Sequence, residues 1–377
     1  MPLRWLILAT HVPPGGGLGG IVRYTTELIT ALAARADVTV SVLTTRSSAT
    51  TLADLVGGTD RVRTVPDLVG PLLPGLERLG ALQPLRHGAQ DHDVVHGVKH
   101  LIPRGAIAGG ATRVLTVHDV LLLDRPGDFP TAKRTLLPPA FRGSLRDAEL
   151  LVAVSAATRD RLLAHLPTAA PRTTVVPLAT ASRLLATAPA AVPALAGRRF
   201  ALVVGDPSPR KNLAVVVDSW SRVRQAVPDA VLAVVGPPAW GRSELGATFA
   251  QLVADGAVVS LGHVPDAQLR WCYEQATVVL CPSLAEGFGL PAAEAVGLGA
   301  PLVVSADAAL VEVAAGRARA VLDPADRDAW VRAAHDAFAD RSPRPAPGAA
   351  RQWSDVARET VEAVQRTRAS STPPTGP

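Results

Sequence analysis

The order of apolar segments along the chain constrains its fold more than any other feature. Short apolar runs alternate with helical patterns in two successive series. The first series predicts strands at residues 3–9, 38–43, 93–96, 113–117 and 150–154, and the second at 199–204, 231–235, 257–261, 277–281 and 301–305. Strands that alternate with helices form parallel sheets covered on both faces. We therefore predict an α/β fold with two Rossmann-like domains that face each other across a cleft.

An Ala- and Pro-rich segment separates the two series, and at 377 residues the chain is long enough for two cores. We predict a first domain over residues 1–180, a linker over 181–198 and a second domain over 199–348. A helix over 349–367 is expected to cross back onto the first domain. The Ser/Thr/Pro-rich tail 368–377 is predicted to be disordered.

Composition excludes several classes of protein. Two cysteines, Cys272 and Cys281, cannot form a disulfide framework, which favours a cytoplasmic protein. The apolar run near the N-terminus is too short for a signal peptide, and no stretch approaches the about 20 apolar residues of a membrane span. The net charge of +5 suits an anionic substrate or surface. No basic run is interleaved with aromatic residues, so we expect no nucleic-acid partner.

The most informative motif begins after the strand predicted to end at Cys281. It reads Glu286-Gly-Phe-Gly-Leu-Pro-Ala-Ala-Glu294, with glycines for a tight turn and Pro291 at a helix start. A fixed carboxylate accepts hydrogen bonds from paired sugar or ribose hydroxyls, and backbone N–H groups at a helix start suit sugar oxygens and a diphosphate. In the alternative interpretation, the two glutamates only cap the helix or make it soluble.

Basic residues and a histidine follow other strands. Gly205 is followed by Pro209-Arg210-Lys211-Asn212, and His118 follows the strand predicted at 113–117. A fixed Lys and Arg stabilise the negative charge of a leaving phosphate. In the alternative interpretation Arg210 and Lys211 are ordinary surface charges, and His118 is a core or capping histidine.

Two further patterns receive other interpretations. The glycine loop that contains Gly19 and Gly20 also fits a dinucleotide fingerprint, but the acidic residue expected after the second strand is missing. Asp91-His-Asp93 spells a D-x-D metal motif, yet it precedes a strand instead of following one. We therefore assign no metal and no cofactor.

Together these motifs resemble the retaining glycosyltransferases of family 4, which have the GT-B fold. The segment Glu286–Glu294 is similar to the E-x₇-E signature of that family, and the Pro-Arg-Lys-Asn segment is similar to a phosphate-site variant of mannosyltransferase-like members. The loop at Gly19 and Gly20, the motif at His118 and the helix near Trp353 follow the family pattern as well. The resemblance runs through nearly the whole chain.

The resemblance implies a role for each position. Glu294 is expected to hold the donor ribose, and Glu286 to contact the transferred sugar with help from the backbone at Phe288, Gly289 and Leu290. Lys211 and Arg210 are expected to neutralise the diphosphate beside Gly205. His118 is expected to contact the donor sugar near the reacting carbon. Gly19 and Gly20 are expected to let the backbone approach the phosphates or the acceptor.

The implied reaction is transfer of a hexosyl unit, with mannosyl favoured, from a nucleotide sugar to a glycan, a lipid-linked or a small-molecule acceptor. The first domain is then the acceptor side, and the second domain binds the nucleotide sugar. Two alternatives stay open: a nucleotide-sugar 2-epimerase of the same fold and a non-catalytic sugar-binding homologue. Basic and apolar residues between Arg125 and Arg146 indicate either peripheral contact with an anionic membrane at its inner face or a helix that packs on the sheet.

Overall fold

The computed structural model describes residues 1–16, 19–67, 90–104, 110–237, 245–349 and 351–371. The chain divides into two compact units. Unit 1 comprises Met1–Leu178 and Gln352–Pro377, and unit 2 comprises Ala179–Arg351. Each unit is built on one parallel sheet, in agreement with the predicted fold class.

Unit 1 contains a seven-stranded sheet. Its strands are β1 (Leu3–Leu8), β2 (Val38–Thr45), β3 (Val62–Val65), β4 (Val94–Gly97), β5 (Thr112–Val117), β6 (Leu150–Ala153) and β7 (Thr173–Val175). The order is β3-β2-β1-β4-β5-β6-β7, and all neighbours are parallel. The strand order reverses between β1 and β4, so ligands of such a sheet are expected at the carboxyl ends of these strands.

Helices cover the unit 1 sheet. They are α1 (Gly20–Ala33), α2 (Ala49–Val56), α3 (Leu121–Asp124), α4 (Thr131–Asp147) and α5 (Ala156–His165). Helix α1 buries Tyr24, Leu28 and Leu32 on one side, as the three-to-four spacing predicts. It begins after Gly19, whose φ of 118° suits glycine.

Unit 2 contains a six-stranded sheet with the order β10-β9-β8-β11-β12-β13. Its strands are β8 (Phe200–Val204), β9 (Val231–Val235), β10 (Val258–Gly262), β11 (Val278–Cys281), β12 (Leu302–Ser305) and β13 (Ala320–Leu322). Alternate residues of β9 enter different cores: Val231 joins one and Leu232 the other. Both faces of this sheet are therefore buried, which explains its continuous apolar runs.

The helices of unit 2 complete its two cores. They are α6 (Ser182–Ala186), α7 (Leu213–Ala226), α8 (Ala247–Ala254), α9 (Asp266–Gln275), α10 (Leu290–Gly297), α11 (Ala308–Ala314) and α12 (Arg327–Ala339). Trp220 of α7 and Trp330 of α12 are buried in the same core. Helices α7 and α12 therefore pack against each other in one core of unit 2.

The structure corrects several predicted boundaries. Residues 181–198, predicted as a linker, contribute Leu184, Val192 and Leu195 to the core of unit 2. The sequence did not indicate this, because the spacing of these apolar residues matches neither a helix nor a strand. The helix predicted from Lys211 begins at Leu213, since a 3-10 turn occupies Pro209–Lys211. Strands β3, β7 and β13 were not predicted; they are short, and their residues are mostly half-buried.

The last helix, α13, spans Trp353–Ser371 and belongs to unit 1. The Trp353 ring lies 5.7 Å from the Tyr24 ring, and an Arg368 Nη1 N–H donates to the Asp93 carbonyl oxygen at 2.7 Å. The helix continues through residues 368–371, which were predicted to be disordered; residues 372–377 lie outside the described ranges. Among the helices in those ranges, we find none whose length and hydropathy match a membrane span.

Candidate active site

The predicted donor-site residues of unit 2 lie at the carboxyl ends of β8 and β11. These strands are neighbours and parallel, and the strand order of the sheet reverses there. Strand β8 leads into residues 205–212, and β11 leads into residues 282–289 and then α10. We call residues 205–212 and 282–294 the unit 2 edge. A backbone hydrogen bond from the Leu284 N–H to the Arg210 carbonyl oxygen, at 2.7 Å, joins its two loops.

Glu286 is the centre of the unit 2 edge. Its Oε1 accepts from Lys211 Nζ at 2.5 Å and from the Ser283 hydroxyl at 2.7 Å, and its Oε2 accepts from Arg210 Nη1 at 3.2 Å. The side chain of Glu286 is only 9% exposed. Two residues predicted as diphosphate ligands thus contact the residue predicted to hold the sugar. Ser283 was not predicted, because a serine in a loop carries no signal of its own.

Electrostatics keeps the Glu286 carboxylate charged despite its burial. Burial alone raises the pKa of Glu286, but the charges of Lys211 and Arg210 and the hydrogen bonds outweigh it and hold the pKa at about 2. The carboxylate is therefore ionised at every physiological pH. Such a group accepts hydrogen bonds well and is a weak base and nucleophile.

Glu294 is positioned by a residue that the sequence did not single out. The hydroxyl of Tyr273, on α9, donates to Glu294 Oε2 at 2.7 Å, and both side chains are buried. At the end of β11, burial raises the pKa of the Cys281 thiol to about 12; the Lys211 ammonium lowers it, and the Glu286 and Glu294 carboxylates raise it. Glu294 lies in α10, the helix that follows the same strand end as Glu286.

Two glycines meet steric demands at the unit 2 edge. Gly289 has φ of 94°, and a Cβ there would lie 2.6 Å from Leu310 Cδ2. Gly205 has φ of 148°, and a Cβ there would lie 3.4 Å from Lys211 Cε. Leu290 then opens α10, and Phe288 is buried with 9% of its surface exposed. The positive φ values thus explain both glycines, and at Gly289 the close approach of Leu310 excludes a side chain as well.

Asn212 connects three loops of unit 2. It adopts the left-handed conformation with φ of 53°, which an asparagine tolerates better than most residues. Its Nδ2 donates to the Pro282 carbonyl oxygen at 3.1 Å and to the Pro324 carbonyl oxygen at 2.8 Å. Although Asn212 precedes α7, its side chain makes no N-cap hydrogen bond to that helix.

In unit 1, His118 lies just after β5 and is buried. Its Nε2 lies 3.0 Å from the Val98 carbonyl oxygen, which can only accept, so Nε2 carries the hydrogen. The Tyr24 ring packs edge-on against it with ring centroids 4.6 Å apart. Burial lowers the pKa of His118 to about 4, so the imidazole is neutral at pH 7 and its Nδ1 is the hydrogen-bond acceptor.

Other histidines surround His118, and sequence reasoning missed them. His11 Nε2 lies 3.0 Å from Thr25 Oγ1, whose own hydrogen goes to the Ile21 carbonyl oxygen, so His11 also carries its hydrogen on Nε2. His96 Nε2 lies 2.8 Å from Thr116 Oγ1. Burial lowers the pKa of His96 to about 3 and that of His11 well below its usual value. We call His11, Val98–His100 and His118–Asp119 the unit 1 edge.

The structure brings eight of the predicted residues together in unit 2 and places the other three in unit 1. Arg210, Lys211 and Glu286 are in direct contact, and Gly205, Phe288, Gly289, Leu290 and Glu294 flank them. His118 belongs to unit 1. Gly19 and Gly20 stand at the start of α1, in the same unit, and both are exposed.

The D-x-D residues make ion pairs instead of a metal cluster. Asp91 Oδ2 accepts from Arg63 Nη2 at 2.9 Å, and Asp93 Oδ2 accepts from Arg4 Nε at 3.3 Å. Within the described ranges, no three His, Cys, Asp or Glu residues come together as a potential metal group. Independence from metal and cofactor stays a prediction.

Family comparisons agree with this geometry in both units. Residues 18–180 match the family described as Glycosyltransferase Family 4, and residues 198–340 match Glycosyl transferases group 1. The D-inositol 3-phosphate glycosyltransferase of Nocardioides sp. is 30% identical to this chain over 95% of this chain and 87% of that protein. The chain therefore belongs to glycosyltransferase family 4.

A second relative and two solved structures complete the comparison. The O-antigen chain mannosyltransferase B of Escherichia coli is 29% identical over 57% of this chain and 58% of its own length. Sucrose-phosphate synthase from Thermosynechococcus elongatus has a TM-score of 0.66 at 20% identity, over 97% of this chain and 94% of that chain. Anabaena HepE in complex with UDP-glucose has a TM-score of 0.65 at 17% identity, over 97% and 95%. The predicted GT-B fold is confirmed.

Proposed function

We propose that this glycosyltransferase moves a hexosyl unit from a nucleotide sugar to an acceptor hydroxyl with retention at the anomeric carbon. A mannosyl unit is the candidate sugar, and the acceptor is a glycan, a lipid-linked or a small molecule. The observation that carries the proposal is the contact of Glu286 with Lys211, Arg210 and Ser283 at a strand-order reversal.

The basic pair supplies stabilisation to the leaving group. When the bond between the anomeric carbon and the phosphate oxygen breaks, negative charge develops on the nucleoside diphosphate. Lys211 and Arg210 are held in place by Glu286 before the donor arrives, so little reorganisation is needed when that charge develops. A diphosphate that contacts both cations leaves Glu286 with acceptor capacity for sugar hydroxyls.

The properties of Glu286 favour a same-face reaction over double displacement. A carboxylate with a pKa of about 2 and three hydrogen bonds is a poor nucleophile and a poor general base. We therefore assign the proton of the acceptor hydroxyl to the departing phosphate oxygen. The acceptor oxygen forms its bond to the anomeric carbon on the face that the phosphate leaves, so the configuration is retained.

The remaining contacts concern the two ends of the donor. Glu294, oriented by Tyr273, holds the ribose hydroxyls, and the backbone at Phe288, Gly289 and Leu290 contacts the sugar. His118 accepts a hydrogen bond from the donor sugar through Nδ1, since Nε2 is committed to Val98. Gly19 and Gly20 let the acceptor or the phosphates approach α1. The mannosyltransferase relative supports mannose, whereas the UDP-glucose complex of HepE supports a uridine nucleotide.

The decisive experiment is a donor panel with EDTA present. The purified chain is incubated with GDP-mannose, UDP-glucose and UDP-N-acetylglucosamine, and nucleoside diphosphate release is measured for wild type and Glu294→Ala. We expect slow release from one donor and its loss in the variant. Once an acceptor is found, the anomeric configuration of the product by NMR tests retention.

Other outcomes have distinct meanings. Conversion of one donor into its epimer without transfer would make the chain a 2-epimerase. No release from any donor, with no thermal stabilisation by any of them, would contradict the proposal and favour a sugar-binding protein without turnover. Release that disappears with EDTA and returns with a divalent cation would contradict metal independence alone.

We further propose cytoplasmic localisation with peripheral contact of α4 at the inner face of an anionic membrane. The C-terminal half of α4 packs on the sheet through Phe141 and Leu145, whereas its first turns are exposed, including Lys133, Arg134 and Leu136. Leu136 is 62% exposed. Co-sedimentation with phosphatidylcholine vesicles should increase when phosphatidylglycerol is added and fall in Leu136→Ser; equal binding to both vesicles would contradict this contact.

A further inference from the structure

Two segments that carry the chain into and out of unit 2 contact the same two helices. The chain enters unit 2 through residues 179–190, which we call the entry segment, and leaves it through residues 341–349, which we call the exit segment. The two helices are α9, which carries Tyr273, and α10, which carries Glu294. The hydrogen bond that orients Glu294 therefore joins the two helices that these segments contact.

The exit segment holds the C-terminal end of α9. Arg344 donates from Nη1 to the Ala276 carbonyl oxygen at 2.7 Å and from Nη2 to the Tyr273 carbonyl oxygen at 2.8 Å. The last carbonyl groups of a helix have no N–H partner within that helix, and a cation beside them interacts favourably with the helix dipole. Arg344 itself is exposed, so its substitution leaves no cavity in a core.

The entry segment is bonded to α9 through a second arginine. Arg270, on α9, donates from Nη1 to the carbonyl oxygens of Leu185 at 2.6 Å and Thr187 at 3.0 Å, at the end of α6. The Ala190 backbone N–H donates to the Ala267 carbonyl oxygen, also on α9, at 3.0 Å. Hydrogen bonds therefore join α9 to both segments.

The same two segments contact α10. The Thr180 hydroxyl of the entry segment donates to the Ala293 carbonyl oxygen at 3.5 Å. The Gly348 backbone N–H of the exit segment donates to the Val296 carbonyl oxygen at 2.9 Å. A Cβ at Gly348 would lie 2.8 Å from Val296 Cγ1, so the exit segment lies directly against α10. Each of the two helices is thus bonded to both segments.

The bond between the two helices depends on the position of α9. Leu269, Cys272 and Tyr273 pack α9 into a core, but apolar packing is non-directional and does not by itself fix a helix along its axis. The Tyr273 hydroxyl donates to Glu294 Oε2 at 2.7 Å, and a shift of about 1 Å away from α10 would take it beyond hydrogen-bonding range. The planar guanidinium groups of α9 and the exit segment have donors in fixed directions, so they restrain such a shift.

We propose that Arg344 and Arg270 are positioning residues for donor binding. They fix α9 against the exit and entry segments and thereby keep the Tyr273 hydroxyl on Glu294, in the orientation in which Glu294 accepts ribose hydroxyls. The assignment of Glu294 to the ribose rests on the proposed function. The ribose is remote from the reacting carbon, so its contacts strengthen ground state and transition state alike. Loss of either arginine should therefore raise the donor KM and leave kcat nearly unchanged.

A spectroscopic test of this role needs no activity. The chain contains two tyrosines, so tyrosine labelled with carbon-13 at Cζ gives two NMR resonances, which Tyr273→Phe assigns. In Glu294→Ala the Tyr273 resonance marks the state without the hydrogen bond. In Arg344→Ala and in Arg270→Ala it should move towards that position, while the Tyr24 resonance stays in place. An unmoved Tyr273 resonance in either variant would overturn the role of that arginine.

Arg224→Ala is the matched control. Arg224 donates from Nε and Nη2 to the Pro228 carbonyl oxygen at 3.1 and 2.9 Å, at the C-terminal end of α7 in the same unit. Its loss should leave both tyrosine resonances and the donor KM unchanged. Arg344→Lys keeps the charge but lacks the planar fork, so it should give an intermediate shift, and it tests the same contact if the alanine variant does not fold.

Kinetics then tests whether Arg344 acts through Tyr273. With the donor identified by the panel, Arg344→Ala should raise the donor KM about threefold to tenfold, because the bond to a charged group is weakened. In a Tyr273→Phe background the same substitution should raise KM no further, since the bond is already absent. An equal increase in both backgrounds would contradict action through Tyr273.

The two measurements separate failure of the positioning role from failure of the proposed function. A Tyr273 resonance that moves in both arginine variants, in a chain that releases nucleoside diphosphate from no donor, would refute the proposed transfer and keep the positioning of Glu294. Donor turnover with an unmoved resonance and an unchanged donor KM in both variants would refute the positioning role and keep the transfer.

Discussion

The two units use the same sheet architecture with opposite electrostatics at their carboxyl edges. At the unit 2 edge, Glu286 is buried in its charged form between Lys211 and Arg210. In unit 1, His96 and His118 are buried and His11 is half-buried, and the pKa of each imidazole is lowered, so that all three are neutral at pH 7. The first arrangement is prepared for a ligand that is always anionic. The second presents neutral imidazoles, which can exchange hydrogen bonds with uncharged hydroxyl groups.

The largest expected effect concerns the unit 2 edge. Lys211→Met should lower kcat/KM by about 10²–10³, because leaving-group charge loses a preorganised partner, and the pKa of Glu286 should rise from about 2. Steady-state kinetics with the donor identified by the panel measures this loss. The control is Arg222→Met, whose pair with Asp328 is exposed and should matter by less than about 1 kcal/mol. Equal activity in wild type and Lys211→Met would contradict the role of the basic pair.

The next prediction is that the stability of the two units depends on pH in different ranges. His96 and His118 have folded pKa values of about 3 and 4 against an ordinary 6.5, so the unfolded chain binds protons first. Their contribution to stability is complete above about pH 6.5 and is lost as pH falls through the folded values, on the order of a few kcal/mol in total. Glu286 has a folded pKa of about 2 against an ordinary 4.5, so its contribution is lost only below about pH 4.5.

Hydrogen exchange by mass spectrometry resolves this difference peptide by peptide, after correction for the intrinsic pH dependence of exchange. Between pH 6.5 and 4.5, protection should decrease in peptides of β4 and β5 while those of β8 and β11 remain protected. In His96→Gln the decrease in unit 1 should be smaller. A loss of protection in both units at the same pH would contradict the difference in buried charge.

The chain contains two tyrosines, one in each unit, and both are buried. Tyr273 donates to the Glu294 carboxylate, whereas the Tyr24 hydroxyl lies 2.8 Å from the neutral Thr116 hydroxyl. Tyr273→Phe should raise the donor KM about tenfold with little change in kcat, since a bond to a charged group contributes about 1.5–3 kcal/mol. Tyr24→Phe should lower stability by about 1 kcal/mol and leave the donor KM unchanged. If Tyr24→Phe raised the donor KM and Tyr273→Phe did not, Glu294 would have no role in donor binding.

The smallest expected effect concerns backbone conformation. Asn212→Gly and Asn212→Ala both remove the amide that connects Pro282 and Pro324, but only glycine fits a φ of 53° without strain. We expect Asn212→Ala to lower the free energy of unfolding by about 1 kcal/mol more than Asn212→Gly.

Ala315, the other non-glycine residue with positive φ among the described residues, is the control for Asn212. Ala315→Gly relieves its left-handed strain without touching the unit 2 edge, so activity should be unchanged. Denaturant unfolding and kcat/KM measure both sites. An Asn212→Gly variant with wild-type activity would show that the three-loop connection is dispensable.

Sequence patterns predicted the fold well where both faces of a strand are buried. Strands β8, β9 and β11 are continuous apolar runs because helices cover both sides of their sheet. Strands β3 and β7 contain Arg and Thr residues that are half-buried, so their patterns resemble loops. The prediction of residues 181–198 as a linker was wrong for a related reason. The buried Leu184, Val192 and Leu195 follow no helical or strand period.

Site residues were predicted from the sequence where they lie close together along the chain, and were missed where their contacts join distant segments. Glu286, Gly289 and Glu294 lie within one short motif, so their spacing was readable. Tyr273 acts on Glu294 across 21 positions, and no local pattern indicates that contact. The histidines of the unit 1 edge follow three separate strands, and a lone histidine carries little information until the sheet brings it beside others.

Hydrogen exchange with bound nucleotide tests the central claim most directly. Wild-type protein and Glu294→Ala are compared with and without the nucleoside diphosphate of the active donor. We predict that the nucleotide increases protection in residues 205–213 and 281–297 of unit 2, and that Glu294→Ala loses most of this effect. Protection confined to the unit 1 edge, or unchanged in the variant, would contradict the assignment of the donor to the unit 2 edge.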